Sequence, residues 1–183
     1  MEFHFDIDKS IASSAYLILK NNGSYDMLHL VKALYCANRI CLIRYGRTIT
    51  GDSLCSMENG PAVSETYNLI KGDKRADPEH LKKWRAYISE RDVNTVHLKP
   101  GQLPSFGVLS GREVQLLDSS FEIISKVKTS LKKWSHKVFP EWEDVGKSSK
   151  PIDPKTILRL EKIGENEILE VEEEIAELNW LRA

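Results

Sequence analysis

Residues 28–46 read Leu28-His29-Leu30-Val31-Lys32-Ala33-Leu34-Tyr35-Cys36-Ala37-Asn38-Arg39-Ile40-Cys41-Leu42-Ile43-Arg44-Tyr45-Gly46, and this stretch decides the fold. Leu28, Val31, Tyr35 and Leu42 share one helical face, and Leu30, Leu34, Ala37 and Cys41 fill the neighbouring one. So wide an apolar stripe belongs to a helix covered on most sides, so this helix is the expected centre of the core. Ser24 is a candidate cap for its start, and Gly46 suits the left-handed position that ends it. Upstream, Ile7, Ile11, Ala15 and Ile18 predict a helix over residues 7–21, stopped by Asn22-Gly23.

Downstream, Arg47-Thr48-Ile49-Thr50-Gly51-Asp52-Ser53-Leu54-Cys55-Ser56-Met57 predicts a short hairpin turning at Gly51-Asp52. Asn59-Gly60-Pro61 predicts a turn that opens a third helix, with Pro61 near its first position. Pro78 opens a fourth helix over about 79–89, residues 93–98 have strand character, and Ser110 with Glu113 forms a capping box. That box starts a helix presenting Val114, Leu117, Phe121 and Ile124, and a shorter one near 129–138 holds Trp134. Residues 147–150 and Pro151 form the expected linker, followed by helices at about 154–163 and 166–181. The expectation is a mainly α fold: a compact helical domain over residues 1–146 with a small β-hairpin, and a linker and C-terminal amphipathic acidic helix over 147–183.

The bulk numbers exclude several classes. The 26 basic and 27 acidic residues give a formal charge of -1, which argues against a dedicated nucleic-acid binder. Three cysteines (Cys36, Cys41, Cys55) are an odd count without framework spacing, so buried thiols are expected rather than disulfides. No run reaches the length of a membrane span and the first residues lack a signal-peptide pattern, so the cytoplasm is the expected location.

No phosphate-binding loop, dinucleotide turn, nucleophile elbow or zinc-helix motif is present, and the five histidines (His4, His29, His80, His97, His136) are scattered. Neither a cofactor, a metal nor catalysis is expected. Asp6 and Asp8 read as an acidic helix start. Lys82-Lys83-Trp84-Arg85 reads as a solvated helix face with Trp84 turned inward. A second basic block, Lys126, Lys128, Lys132, Lys133 and Lys137, is a candidate to fold against the acidic C-terminus.

That C-terminus carries eight glutamates and one lysine between Glu161 and Glu177. Ile168, Val171, Ile175, Leu178 and Leu181 form an apolar stripe within it. Two readings stand: the helix docks on its own domain, or it presents the stripe to a partner while its glutamates steer towards a basic surface.

The elements Lys32-Ala33-Leu34-Tyr35-Cys36-Ala37-Asn38-Arg39, Arg44-Tyr45-Gly46-Arg47-Thr48-Ile49-Thr50-Gly51-Asp52 and Asn59-Gly60-Pro61-Ala62-Val63-Ser64-Glu65-Thr66-Tyr67 together resemble the Panacea domain of SocA-like antitoxins and phage-associated proteins. Trp134-Ser135-His136-Lys137 with Trp142 extends the resemblance, which spans roughly residues 7–145. This chain departs from the family pattern at Asn38, where an aspartate is usual, and at Thr48, where a proline follows the arginine. Gly-Pro-Ala-Val at 60–63 is a third departure. Gly46, Gly51 and Gly60 are expected to need positive φ. Asp52 is expected either to cap a turn or to pair with Arg47 or Arg44. The cluster as a whole either holds the fold or touches a partner.

The resemblance implies an antitoxin of a type II system that neutralises a cognate protein toxin, encoded nearby, by direct binding. A variant is a proteolytic adaptor delivering the toxin to a AAA+ protease. A phage or mobile-element protein binding a host factor is a different class. A hydrolase using Cys55, His97 or His136 is a further alternative, and it requires those side chains to converge. No helix-turn-helix extension is evident, so direct nucleic-acid binding is not expected.

Overall fold

A computed structural model describes residues 1–182. Its helices are α1 (Ile7–Lys20), α2 (Met27–Tyr45), α3 (Ser64–Lys71), α4 (Pro78–Tyr87), α5 (Gly111–Ser125), α6 (Leu131–Val138), α7 (Pro154–Leu160) and α8 (Glu165–Arg182). Five short strands accompany them: β1 (Ser24–Asp26), β2 (Leu54–Met57), β3 (Ala62–Val63), β4 (Thr95–His97) and β5 (Ser149–Pro151). The fold is mainly α with a small antiparallel β element, as the sequence predicts.

The wide stripe of α2 does what its breadth requires. Leu30, Val31, Ala33, Leu34, Tyr35, Cys36, Ala37, Cys41 and Leu42 are all buried, and the helix packs against α1, α5, α6 and α7. Burying each large aliphatic side chain contributes roughly 1.5–3 kcal/mol, so α2 carries much of the core's stabilisation. Trp84 is fully buried on the inner face of α4, as expected, although its indole N–H has no partner among the described residues. The three cysteines are buried free thiols. Burial raises the thiols of Cys36 and Cys41 to about 11 and that of Cys55 to about 12.

Several starts and turns differ from the sequence reading for identifiable reasons. Asp26, not Ser24, caps α2 by accepting the His29 N–H at 3.1 Å, because Ser24 is paired opposite His97 in the β1–β4 ladder. Gly51-Asp52 is not the hairpin turn. The Gly51 Cα is covered by the N-terminal segment, whose His4 carbonyl would lie 1.8 Å from any Cβ there. The hairpin forms one step later, β2 pairing with β3 through Leu54–Val63 and Cys55–Ala62. Pro61 accordingly sits before β3, and α3 begins only at Ser64. The capping box at Ser110 and Glu113 is present in both directions.

Residues 149–151, expected as linker, form the third strand of this sheet, with Cys55 opposite Pro151 and Met57 opposite Ser149. Ile157, Leu158 and Ile168, all beyond the expected boundary at 146, join the same hydrophobic core as α2. The basic block of residues 126–137 does not neutralise the acidic C-terminus: Lys126 pairs with Glu122 and Lys132 with Glu58. The C-terminal glutamates instead meet Arg39, Lys155, Arg159 and the Met1 amine. Among the described residues, no helix is long and apolar enough to cross a membrane.

Candidate functional site

Buried polar groups cost free energy unless they are paired, so a line of them through the core helix marks the places where α2 holds other segments. Lys32, Tyr35, Asn38 and Arg39 form that line. Lys32 is almost fully buried, and its ammonium donates to the Pro61 carbonyl at 2.6 Å. Burial pushes it down to about 7, only slightly countered by the Cys55 thiol. Gly60 allows this approach: a Cβ there would lie 2.9 Å from Lys32 Nζ and 2.2 Å from Ser135 Oγ. Lys32 thus ties α2 to the β2–β3 turn.

One and two turns further along, Tyr35 and Arg39 converge on Glu141. The Tyr35 hydroxyl donates to Glu141 Oε1 at 2.6 Å, and Arg39 makes a two-pronged contact at 2.7 and 3.2 Å. Arg39 also donates to Glu161 at 2.6 Å, so one guanidinium bridges the segment after α6 and the turn after α7. Fork-to-carboxylate geometry of this kind fixes orientation as well as adding energy.

Asn38 faces the loop of residues 47–52. Its Oδ1 accepts from the Ile49 and Thr50 backbone N–H groups and from the Thr50 hydroxyl, and its Nδ2 donates to Leu34 O. Among the described residues no arginine pairs with it. The amide uses both donor and acceptor, whereas a carboxylate would direct an oxygen at the Leu34 carbonyl.

Of its two alternatives Asp52 takes the capping one, at the first turn of a helix. It pairs with neither Arg44 nor Arg47. Its carboxylate accepts from the Glu65 and Thr66 N–H groups at 2.8 Å each and from the Thr66 hydroxyl at 2.6 Å. It therefore caps α3 from another segment, replacing the side-chain cap that Val63 cannot provide. Burial raises Asp52 to about 6, with the Thr66 and Glu65 hydrogen bonds working the other way. The Ser10 hydroxyl joins Thr66 at 2.8 Å and ties α1 into the same knot.

The remaining motif residues divide into inner and outer sets. Gly46, Gly51 and Gly60 adopt φ of 66°, 65° and 95°. His136 stacks on Trp142 at 3.6 Å, and the Trp142 indole donates to Met57 O at 2.9 Å, locking α6 onto β2. The His136 Nε2 has no protein partner, and burial together with Lys132 and Lys32 lowers its affinity for a proton. Arg44 and Asn59 are exposed, Tyr45 lies under the Arg112 guanidinium, Arg47 reaches towards Glu113 at 3.9 Å, and half-buried Tyr67 lies under Lys71.

Lys32, Glu141, Glu161 and Thr66 join the site through tertiary contacts that the sequence reading does not assign to them. A lone lysine inside the most apolar stretch of the chain is a readable signal for Lys32; nothing local marks the other three. The C-terminal stripe splits along its length. Ile168 and Ile175 are buried, and Val171 packs against Gly46. Leu178 and Leu181 are 44% and 71% exposed, and the intervening Trp180 is 78% exposed. The docked half satisfies the first of the two readings, while the distal half leaves an apolar end on an acidic helix.

Residues 30–143 match the family model described as antitoxin SocA-like, Panacea domain. No curated protein and no solved structure matches the chain. The matched span contains the polar line of α2, the Asp52 cap, the β2–β3 turn and Glu141, and it ends before β5, α7 and α8. This chain belongs to the family of SocA-like antitoxins built on the Panacea domain.

Proposed function

We propose that this chain is an antitoxin of a type II system, neutralising a cognate protein toxin in the cytoplasm by direct binding, without catalysis and without a cofactor. The observation that carries the reading is a division of labour. The family-matched residues are mostly consumed inside the fold, while the exposed apolar end of α8 lies outside the matched span. Leu178, Trp180 and Leu181 form an apolar tip on a helix rich in glutamate, which suits a partner whose surface is basic around an apolar patch. A toxin acting on RNA has a surface of that kind.

The thiol chemistry supports a binding role over a hydrolase. Cys55 is buried in β2 with its thiol raised to about 12, the reverse of what an activated nucleophile needs. His97 lies in the β1–β4 ladder, in a different sheet from Cys55.

The test is co-expression with the product of the adjacent gene, scoring growth and then co-purification. Growth arrest by the neighbour, rescued with a stable complex, is the expected result. Rescue that vanishes when the host AAA+ protease is deleted would replace neutralisation by the adaptor mechanism. A non-toxic neighbour that forms no complex overturns the reading, leaving a host factor as the partner to be sought. Leu178→Ser, Trp180→Ser and Leu181→Ser together should abolish the complex without lowering the melting temperature. Deleting residues 164–183 is a poorer test, because it also strips the buried Ile168 and Ile175 from the fold.

A further inference from the structure

A second site lies away from α8. Lys71 at the end of α3, Arg85 on α4 and Arg91 in the segment before β4 line one concavity of about 410 Å³, together with Gly72, Glu90 and Val93. Three consecutive segments, the end of α3, α4 and the stretch before β4, bring three cations to one cleft. None of the three makes an ion pair among the described residues, although lysines and arginines elsewhere on the chain are often paired. Arg85 is half-buried and spends one N–H on the Ser89 carbonyl, and Lys71 lies over the Tyr67 ring. Burial draws the Arg85 guanidinium below its ordinary value, and Glu90 offsets this only in part. A cation held in this way gains from an anion placed beside it.

The backbone around the cleft is shaped to admit that arginine. A Cβ at Gly72 would stand 3.0 Å from Arg85 Nη2, so a side chain there would crowd the guanidinium. At the opposite lip Val93, a β-branched residue, is held at φ 52°, and its carbonyl accepts from Arg91. Such a residue in the left-handed region is strained, and it persists only where the surroundings impose it. Val93 is 78% exposed, so core packing is not what holds it; the hairpin closure at Asp92 and Thr95 and the Arg91 contact are.

We propose that this cleft binds a phosphate group, either as the free ion or as the monoester of a small metabolite. Three cations against one carboxylate line the cleft, and this positive excess suits the charge of roughly −1.5 to −2 that a phosphomonoester carries near neutral pH. The planar fork of Arg85 suits two oxygens at once, and Lys71 and Arg91 supply further donors at the rim. The cleft also falls within the size range of small-molecule sites, leaving room for a substituent on the phosphate.

The experiment is titration of the full chain, followed by amide chemical shifts, with inorganic phosphate, with a ribose phosphomonoester, and with chloride at matched ionic strength. Saturable shifts at Gly72 and at residues 90–93 with phosphate or the ester, and not with chloride, are expected. The tighter of the two ligands identifies the source of the group. The double variant Lys71→Gln, Arg91→Gln changes only exposed side chains and should bind at least roughly ten-fold more weakly while its amide spectrum still shows the folded chain. Arg85→Lys keeps the charge but loses the fork, and should weaken binding as well. Linear, unsaturated shifts, equal shifts with chloride, or full affinity in the double variant would each overturn the proposal.

Discussion

Val171 Cγ2 lies 2.8 Å from the point that a Cβ on Gly46 would occupy, so the glycine that ends α2 is also the socket for α8. Gly46 is left-handed at φ 66°, and its N–H closes the helix on Leu42 O at 2.9 Å. One residue of the matched region therefore both terminates the core helix and seats an element outside that region.

Gly46→Ala is expected to cost about 2–4 kcal/mol, combining left-handed backbone strain with overpacking against Val171. Added in a Val171→Ala background it should cost about 1–2 kcal/mol less, a coupling that urea unfolding in a double-mutant cycle reads directly. Equal costs in both backgrounds would show that α8 is not seated there.

Asn38→Ala should destabilise by about 2–4 kcal/mol, since it strands the Ile49 and Thr50 N–H groups in a buried loop. Hydrogen exchange at those two amides should accelerate more than exchange in the middle of α5. Unchanged protection at Ile49 and Thr50 would contradict this assignment.

Asp52 has its folded value raised to about 6 from an ordinary 3.8, so its contribution is fully present below the unfolded value and is lost as pH rises through 6. Relative to Asp52→Asn, the wild-type chain should lose on the order of 2–3 kcal/mol between about pH 4 and pH 7. Parallel stability curves for the two proteins across that window would refute a buried, proton-sensitive cap.

Lys32 behaves in the opposite sense. Its folded value is pushed down to about 7 from 10.5, so the unfolded chain holds the extra proton between those limits and stability rises with pH across them. Chemical unfolding from pH 7 to pH 10 should show a gain on the order of a few kcal/mol that is absent in Lys32→Met. An identical slope in the variant would mean that the ammonium is paid for by a partner other than Pro61.

Much of the architecture was legible from α2 alone. Its stripe is wide enough to identify the central helix, and the signals at Ser110 and Gly46 are local because capping depends on neighbours in the chain. Asp26 is not distinguishable as the cap in the sequence, because Ser24 is an equally good one until β4 claims it. The family motif was visible as residues but not as roles. Tyr35 and Arg39 name no partner in the sequence, since Glu141 lies 106 and 102 positions away from them.

By itself, the sequence determined what depends on periodicity and on adjacent residues: eight helical segments, a small β element, buried free thiols, a near-neutral charge and an apolar stripe on an acidic C-terminal helix. Only the tertiary structure decided that Asp52 caps α3, that residues 149–151 are a strand, and that the stripe is half docked and half exposed. The physical reason is common to all three. A hydrogen-bonding group or an apolar face states what it needs locally, but which distant segment satisfies it depends on how the whole chain packs.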